Sequence, residues 1–471
     1  MNLMKIPLLC IFYMICLQLS ASHLLGGYIS YRWVGVNQYD ITVNLLTDQR
    51  SGVPAGQDGV LDLGDGFLVS DFNTTTEEIS EDISLVSFSV LHTFGSLSSY
   101  EISYMEPNYN NGINNMEGSG DTPFFITALI VNDIALGTNK SPVLRFFGAQ
   151  EGLTGTAQRI SSAAFDEDGD SLSYELIIPR QARELQIPGY FHLNDSTLYT
   201  DYSTGNQANN GPPLYSISPV TGEILWDAPG FLGQYAIAYK IIQWRKFGET
   251  WRNMGENEVI LMNNISDERA DVSITAPASQ CYDDAPSIQG QFDVEGFTGG
   301  NQALQVFSDL DGILVNGRSI SAGEVLTFEG NIPPTLEVTV PSSAEPRDLK
   351  LYRVIAALEN GLRTVTATWV FSVGCDSLPG NVGPPPIPRE ETCDAFIIYP
   401  NPSRGQTVEL CLPNNTDRPR HIRIMDSAGK VMFEKDVTVS TSLLELDTRF
   451  YPSGLYFLQV NRSTWKFAVQ R

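Results

Sequence analysis

The chain has 471 residues and a formal net charge of −26, with charged side chains making up only 18% of the total. That length predicts three to five domains, and so acidic a surface repels phosphate backbones, which excludes nucleic acid as a partner. Residues 393–471 hold ten basic and eight acidic side chains and the first 22 residues add one lysine, so −29 of the charge lies between them.

No apolar period of 3.6 residues runs longer than a few turns. Short alternating runs between clusters of Gly, Pro, Asn and Asp predict an all-β chain of tandem Ig-like β-sandwich domains, ending in a smaller β-sandwich. At the N-terminus, Lys5 precedes an apolar run from Ile6 to Leu19, followed by Ser20-Ala21-Ser22. A spanning helix needs about 20 residues, so residues 1–22 are predicted as a signal peptide cleaved after Ala21 or Ser22. Cys16 follows bulky Met14 and Ile15, where a lipoprotein signal has small residues. No other stretch is apolar enough to span a membrane. In an exported chain the remaining Cys281, Cys375, Cys393 and Cys411 read as two disulfides, because no C-x-x-C pair suggests a metal. Of the three possible pairings, the domain boundaries below favour Cys281–Cys375 and Cys393–Cys411.

Residues 23–140 are expected to form the first sandwich. Tyr39, Ile41, Val43 and Leu45 alternate onto one face of a strand. Val60-Leu61-Asp62-Leu63-Gly64-Asp65-Gly66 ends in a tight turn, and Leu91-His92-Thr93-Phe94 precedes another strand. His92 with Asp62 or Asp65 is an acid–base pair without a nucleophile or metal beside it, so no catalytic residue is assigned. The Gly-Asp-Gly turn and the His-Thr-Phe strand entry resemble the polycystic-kidney-disease-type (PKD-like) sandwich, although Leu63 stands where that family has an aromatic. The resemblance implies a structural histidine bonded near the turn. The opening Ser22-His23-Leu24-Leu25-Gly26-Gly27 also resembles the start of large surface proteins of gliding bacteria, which places the chain in the setting of gliding motility.

Asn139-Lys140-Ser141-Pro142 is read as a boundary. A second sandwich, 141–264, carries Asp166-Glu167-Asp168-Gly169-Asp170-Ser171-Leu172-Ser173-Tyr174, then Ser218-Pro219-Val220-Thr221-Gly222-Glu223-Ile224-Leu225-Trp226. Further on, Tyr235, Ile237, Tyr239 and Ile241 share one face of a strand. These motifs resemble cadherin-like domains of the dystroglycan type, in which the final tryptophan packs the core. An EF-hand is excluded, since Ser171 and Ile177 stand where that loop needs Gly and Glu. Three carboxylates on one short loop nevertheless begin a calcium shell, and the resemblance points the same way. Calcium on Asp166, Asp168 and Asp170, helped by Glu151 or Asp227, is therefore the expected cofactor. The alternative is a solvated acidic turn in which Gly169 allows the bend.

A third Ig-like sandwich is expected over 265–375, closing on a strand with Val365, Ala367, Trp369 and Phe371 on alternate positions; Asp309-Leu310-Asp311-Gly312 reads as a plain turn. A Pro-rich linker, 376–392, follows and is stiff and extended. Residues 393–471 then form a small β-module with turns at Asn401-Pro402, Asp426 to Lys430 and Pro452-Ser453-Gly454. Tyr399-Pro400-Asn401-Pro402, Gly405, Asp426 with Gly429-Lys430, Gly454-Leu455-Tyr456 and the terminal Lys466-Phe467-Ala468-Val469 resemble the type A C-terminal sorting domain of type IX secretion. The resemblance implies a sorting motif at Pro400, Asn401, Pro402, Gly405, Gly429 and Gly454, and the type IX machinery as partner. It also implies that everything upstream is cargo, secreted or held on the outer face of the outer membrane.

No G-x-S-x-G, H-E-x-x-H, P-loop or G-x-G-x-x-G occurs, and the four histidines fall in different stretches. The chain is therefore expected to be no enzyme. A non-catalytic surface protein of adhesive, matrix or surface-layer type is the first reading, with surface glycans or other surface proteins as partners. A polysaccharide-binding or polysaccharide-degrading protein is the alternative, with Trp244 and Trp251 available for stacking on sugars. The runs 108–120 and 200–213 are read as long, exposed connections.

Overall fold

A computed structural model describes residues 24–373 and 397–469, each apart from short internal stretches, of which the longest is 342–350. The described residues are built almost wholly of strands, with three single-turn 3-10 helices. The chain divides into two compact units, 1–385 and 386–471.

The first unit is arranged around one late strand, Thr250–Ser266. Along one edge it pairs antiparallel with Gly233–Phe247 over its whole length, with one bulge between Gln243 and Trp244. Its other edge receives three strands in turn. Phe124–Asn132 pairs at Gly255 to Asn257, Leu24–Gly35 at Val259 to Leu261, and Gln150–Leu153, parallel, at Asn263 to Ser266. The approach of the first strand is close, because a side chain at Gly26, where φ is 154°, would meet the Ile260 carbonyl.

Two sheets diverge from this hub strand. One runs through Leu24–Gly35, Gln38–Asp48, Ile83–Thr93 and Thr75–Glu78, the other through Phe124–Asn132, Ser98–Glu106, Val60–Asp62 and Leu68–Val69. Their facing sides bury Ile29, Tyr39, Ile41, Val43 and Leu45 against Ile102, Tyr104, Phe124, Ile126 and Ile130. The hub and its partner add Ala236, Ala238, Ile260 and Met262 to the same core. The opposite sides of those two strands, with Tyr235, Ile237, Tyr239, Val259 and Leu261, serve a second core built on Trp226. A strand pair that is apolar on both faces thus closes two sandwiches at once. The expected border at 140/141 therefore crosses a shared sheet.

Asn139-Lys140-Ser141 is stitched down, with Ser141 exchanging bonds with Tyr31 and the Asn139 carbonyl accepting from Trp33 N. The run 108–120 is also no exposed connection, since Tyr109, Ile113 and Met116 are core residues. The buried Asn115 side chain accepts from Ala236 N at 2.8 Å and donates to its carbonyl at 2.8 Å, acting as a substitute strand partner.

The third sandwich stacks two five-stranded sheets. Trp369 and Phe371 lie in its core with Phe292, Leu304 and Val338. Leu351–Asn360 again uses both faces. Val354, Ala356 and Leu358 point to their own core, while Ile355 and Ala357 join Phe307, Phe146 and Ala163 in a separate junction cluster with the second sandwich. The second unit is a smaller sandwich. One sheet holds Ile397–Tyr399, Thr407–Cys411 and Leu443–Asp447, and the other Val431–Val437, Arg420–Asp426, Gly454–Val460 and Ser463–Val469. Ile422 and Ile424 alternate into its core beside Leu410, Leu446 and Leu458.

Candidate functional site

The acidic loop sits where residues 136–140 meet the strand Gly233–Phe247. Asp166 is buried, and its Oδ1 accepts from the backbone N–H of Asp168 at 2.9 Å and of Asp170 at 3.1 Å. Its Oδ2 accepts from the Gln243 amide at 2.5 Å. Gln243 is itself wholly buried and also accepts from the Tyr31 hydroxyl at 3.0 Å. Asp168 accepts from Lys140 N at 2.7 Å, and Asp170 takes a two-pronged bond from Arg245 at 2.6 and 2.7 Å. The aspartates are thus brought together, but as acceptors for donors of the chain.

The helpers expected for calcium lie elsewhere. Asp227 accepts from Gln207 N, and Glu151 is on the strand paired parallel to Asn263–Ser266. Among the described residues no group of three or more His, Cys, Asp or Glu is arranged to hold a metal ion. One cation of the chain itself, the Arg245 guanidinium, stands against Asp170 at 2.6 Å and 3.9 Å from Asp168.

Burial pushes the Asp166 carboxyl from its ordinary 3.8 up to about 6, against the pull of Gln243 and the Asp170 N–H. The folded state thus holds a proton that the unfolded chain has released, so stability is lost as pH rises from about 4 to 6. A rise of that size is equivalent to about 3 kcal/mol. Urea unfolding at pH 4 and pH 7 is expected to show that loss in the wild type and a flatter profile in Asp166→Asn.

A second feature is a cleft of about 560 Å³ against the outer face of the strands that flank the hub. Glu101, Glu175, Glu256 and Glu258 line it with Arg180 and Lys240. Arg180 contacts Glu258 at 2.9 Å, Thr127 at 2.6 Å and Glu101 at 3.4 Å, while Lys240 contacts Glu256 at 2.9 Å. Burial raises the Glu258 carboxyl above its ordinary value, although Arg180 opposes this. Burial works against the Lys240 ammonium, but Glu256, Glu175 and Glu258 together outweigh it and the pKa rises. The cleft is of ligand size and offers many hydrogen-bond partners, but no Trp, Tyr or Phe lines it.

Other expected site residues fall apart. His92 Nε2–H donates to the Asp65 carboxylate at 2.8 Å, and the ring packs against Phe94, a structural arrangement at the turn. Trp244 is half-buried with its indole N–H on Ser173, and Trp251 is half-buried on the hub strand. Asp309 is no plain turn residue, since its carboxylate grips Arg353 at 2.6 and 2.8 Å. Residues 1–22, Cys375, Cys393, Pro400, Asn401, Pro402, Gly405 and Gly429 lie outside the described residues. Gly454 opens a strand of the second unit, Cys281 pairs opposite Ser372, and Cys411 lies opposite Ile397 and Leu443.

The architecture defines an all-β chain of multiple sheets with a small separate β-sandwich at its C-terminus. Residues 397–470 match the family described as "Secretion system C-terminal sorting domain". The chain thus carries a sorting module of type IX secretion and is secreted or cell-surface cargo of that machinery. No curated protein matches it. Among solved structures, it is similar at 10% identity to the four N-terminal Ig domains of Dscam1 isoform 8.4, over 94% of this chain and 99% of that one, with a TM-score of 0.16. It is similar at 12% identity to the CupB2 chaperone of Pseudomonas aeruginosa, over 41% of this chain and 100% of that one, with a TM-score of 0.17. An endo-fucoidan hydrolase from glycoside hydrolase family 107 matches at 10% identity, over 67% of this chain and 41% of that one, with a TM-score of 0.14. Among the described residues no helix is long and apolar enough to cross a membrane.

Proposed function

We propose that this protein is a non-catalytic adhesive or matrix component of the cell surface, in which the region upstream of the sorting module acts as a stiff display scaffold. The observation that carries this reading is the bracing itself. Two sandwiches share the hub strand, and the third is tied to the second through buried contacts, so bound partners would be held at a fixed geometry. On this reading residues 1–22 are a signal peptide, 23–140 and 141–264 are PKD-like and cadherin-like modules, and the mature chain stands on the outer face of the outer membrane. Immobilised mature protein, probed with intact cells and with a panel of surface polysaccharides, is expected to retain partners without releasing product. Sugar release that disappears in Glu258→Gln would overturn the non-catalytic reading.

The cleft favours one second reading, that of a polysaccharide-binding protein whose carboxylates and cations bond sugar hydroxyls. It predicts that Glu256→Gln weakens polysaccharide capture without changing the unfolding midpoint.

An exported scaffold would also be stapled. Cys281–Cys375 is proposed as the bridge of the third sandwich, worth about 2–4 kcal/mol, the typical range for a disulfide. Non-reducing peptide mapping is expected to recover that pair, and recovery of Cys281 linked to Cys411 would contradict it.

A further inference from the structure

Arg245 projects from the strand Gly233–Phe247 into the acidic loop, and all five of its N–H groups are used. Nε donates to Asp170 Oδ1 at 2.6 Å, and one terminal nitrogen donates to Asp170 Oδ2 at 2.7 Å and Asn139 Oδ1 at 3.1 Å. The other terminal nitrogen donates to the carbonyls of Thr138 at 2.9 Å and Leu136 at 3.2 Å. An Asp168 carboxylate oxygen stands 3.9 Å away. Six oxygens therefore surround one cationic group. They comprise a two-pronged carboxylate, a second carboxylate, a side-chain amide and two backbone carbonyls. That number and mixture is what a calcium ion collects. A guanidinium suits the same set because its planar fork matches the carboxylate and it cannot lose its charge.

We infer that Arg245 is a built-in replacement for a divalent cation, filling an oxygen shell that would otherwise need one. The same five bonds clamp residues 136–139, which leave the first sandwich, to the acidic loop of the second. Lys140 continues the clamp through its N–H to Asp168 and its ammonium, 3.2 Å from Glu167. The junction is therefore rigid at any calcium concentration outside the cell.

Thermal unfolding of the mature full-length chain tests this, with chelator, millimolar calcium or millimolar magnesium present. The wild-type midpoint is expected to be the same in all three. Arg245→Ala should lower it in chelator by about 5 °C or more. Calcium, but not magnesium, should restore at least half of that loss, since the vacated shell suits the larger ion. Arg245→Lys keeps a cation in the shell and should stay indifferent to calcium. If Arg245→Ala does not fold in chelator, refolding on calcium addition supports the inference, and failure to refold contradicts it. A wild-type midpoint that rises with calcium, or an Arg245→Ala midpoint that ignores it, would overturn the replacement.

Discussion

A chain that stops before Cys393 is expected to accumulate in the periplasm, with none reaching the cell surface. The truncation removes a compact unit with its own core. The upstream cores are built from other residues, Leu24 to Phe371, so that part should stay folded. What is lost is the module that the type IX machinery handles. Cell fractionation and protease shaving of intact cells measure the outcome, and surface delivery of the truncated chain would contradict the sorting role. A point variant separates folding of the tail from its mere presence. Leu458 is completely buried there, and Leu458→Asp places an unpaired charge in that core. It should reproduce the export defect without shortening the chain.

Arg353→Ala should cost about 3–5 kcal/mol, the range for removing one partner of a buried ion pair. Arg353 is only 7% exposed, and its guanidinium reaches out of the third sandwich into the second. It holds Asp309 on its own side, then donates to the Thr221 carbonyl at 2.7 Å, the Ala164 carbonyl at 2.8 Å and the Tyr174 hydroxyl at 3.3 Å. Alanine would leave Asp309 without its cation and take a donor from two carbonyls. The variant should also uncouple the two sandwiches. Guanidinium unfolding is expected to be a single transition in the wild type and two in Arg353→Ala, with Trp226 and Trp369 reporting from opposite sides of the junction. Arg353→Lys should recover little, because an ammonium cannot span the two-pronged carboxylate and the far carbonyls together. A loss below about 1 kcal/mol would show the junction to rest on Phe307 and Phe146 instead.

Much of the strand content was legible in the sequence, because alternation is local. Tyr39, Ile41, Val43 and Leu45 share a buried face as their spacing predicts, and so do Ala367, Trp369 and Phe371. The tryptophan at 226 is a core residue, its indole N–H on the Tyr199 hydroxyl at 2.9 Å. Pairing was not legible, because a period of two says which residues face inward but not which strand lies alongside. A usable signal was nevertheless present. Tyr235 to Tyr239 and Val354 to Leu358 are apolar on both faces, which marks strands covered on both sides rather than sandwich strands with one wet face. The polar side chains that matter most, Asn115, Arg245 and Arg353, could not be placed from composition. A buried amide or guanidinium is tolerated only where distant backbone and carboxylate groups converge on it.

The hub strand also sets an order of events during biogenesis. Gly26 pairs with Leu261, 235 positions later. The chain is synthesised N-terminus first, so its opening strand must wait for more than half of the sequence to emerge before its partner exists. Until then Leu24–Gly35 and Phe124–Asn132 each present a bare edge, the template on which strands of other molecules add. Closing so long a loop is slow, and the vulnerable interval is correspondingly extended. A fragment ending near residue 140 would carry the same two open edges permanently.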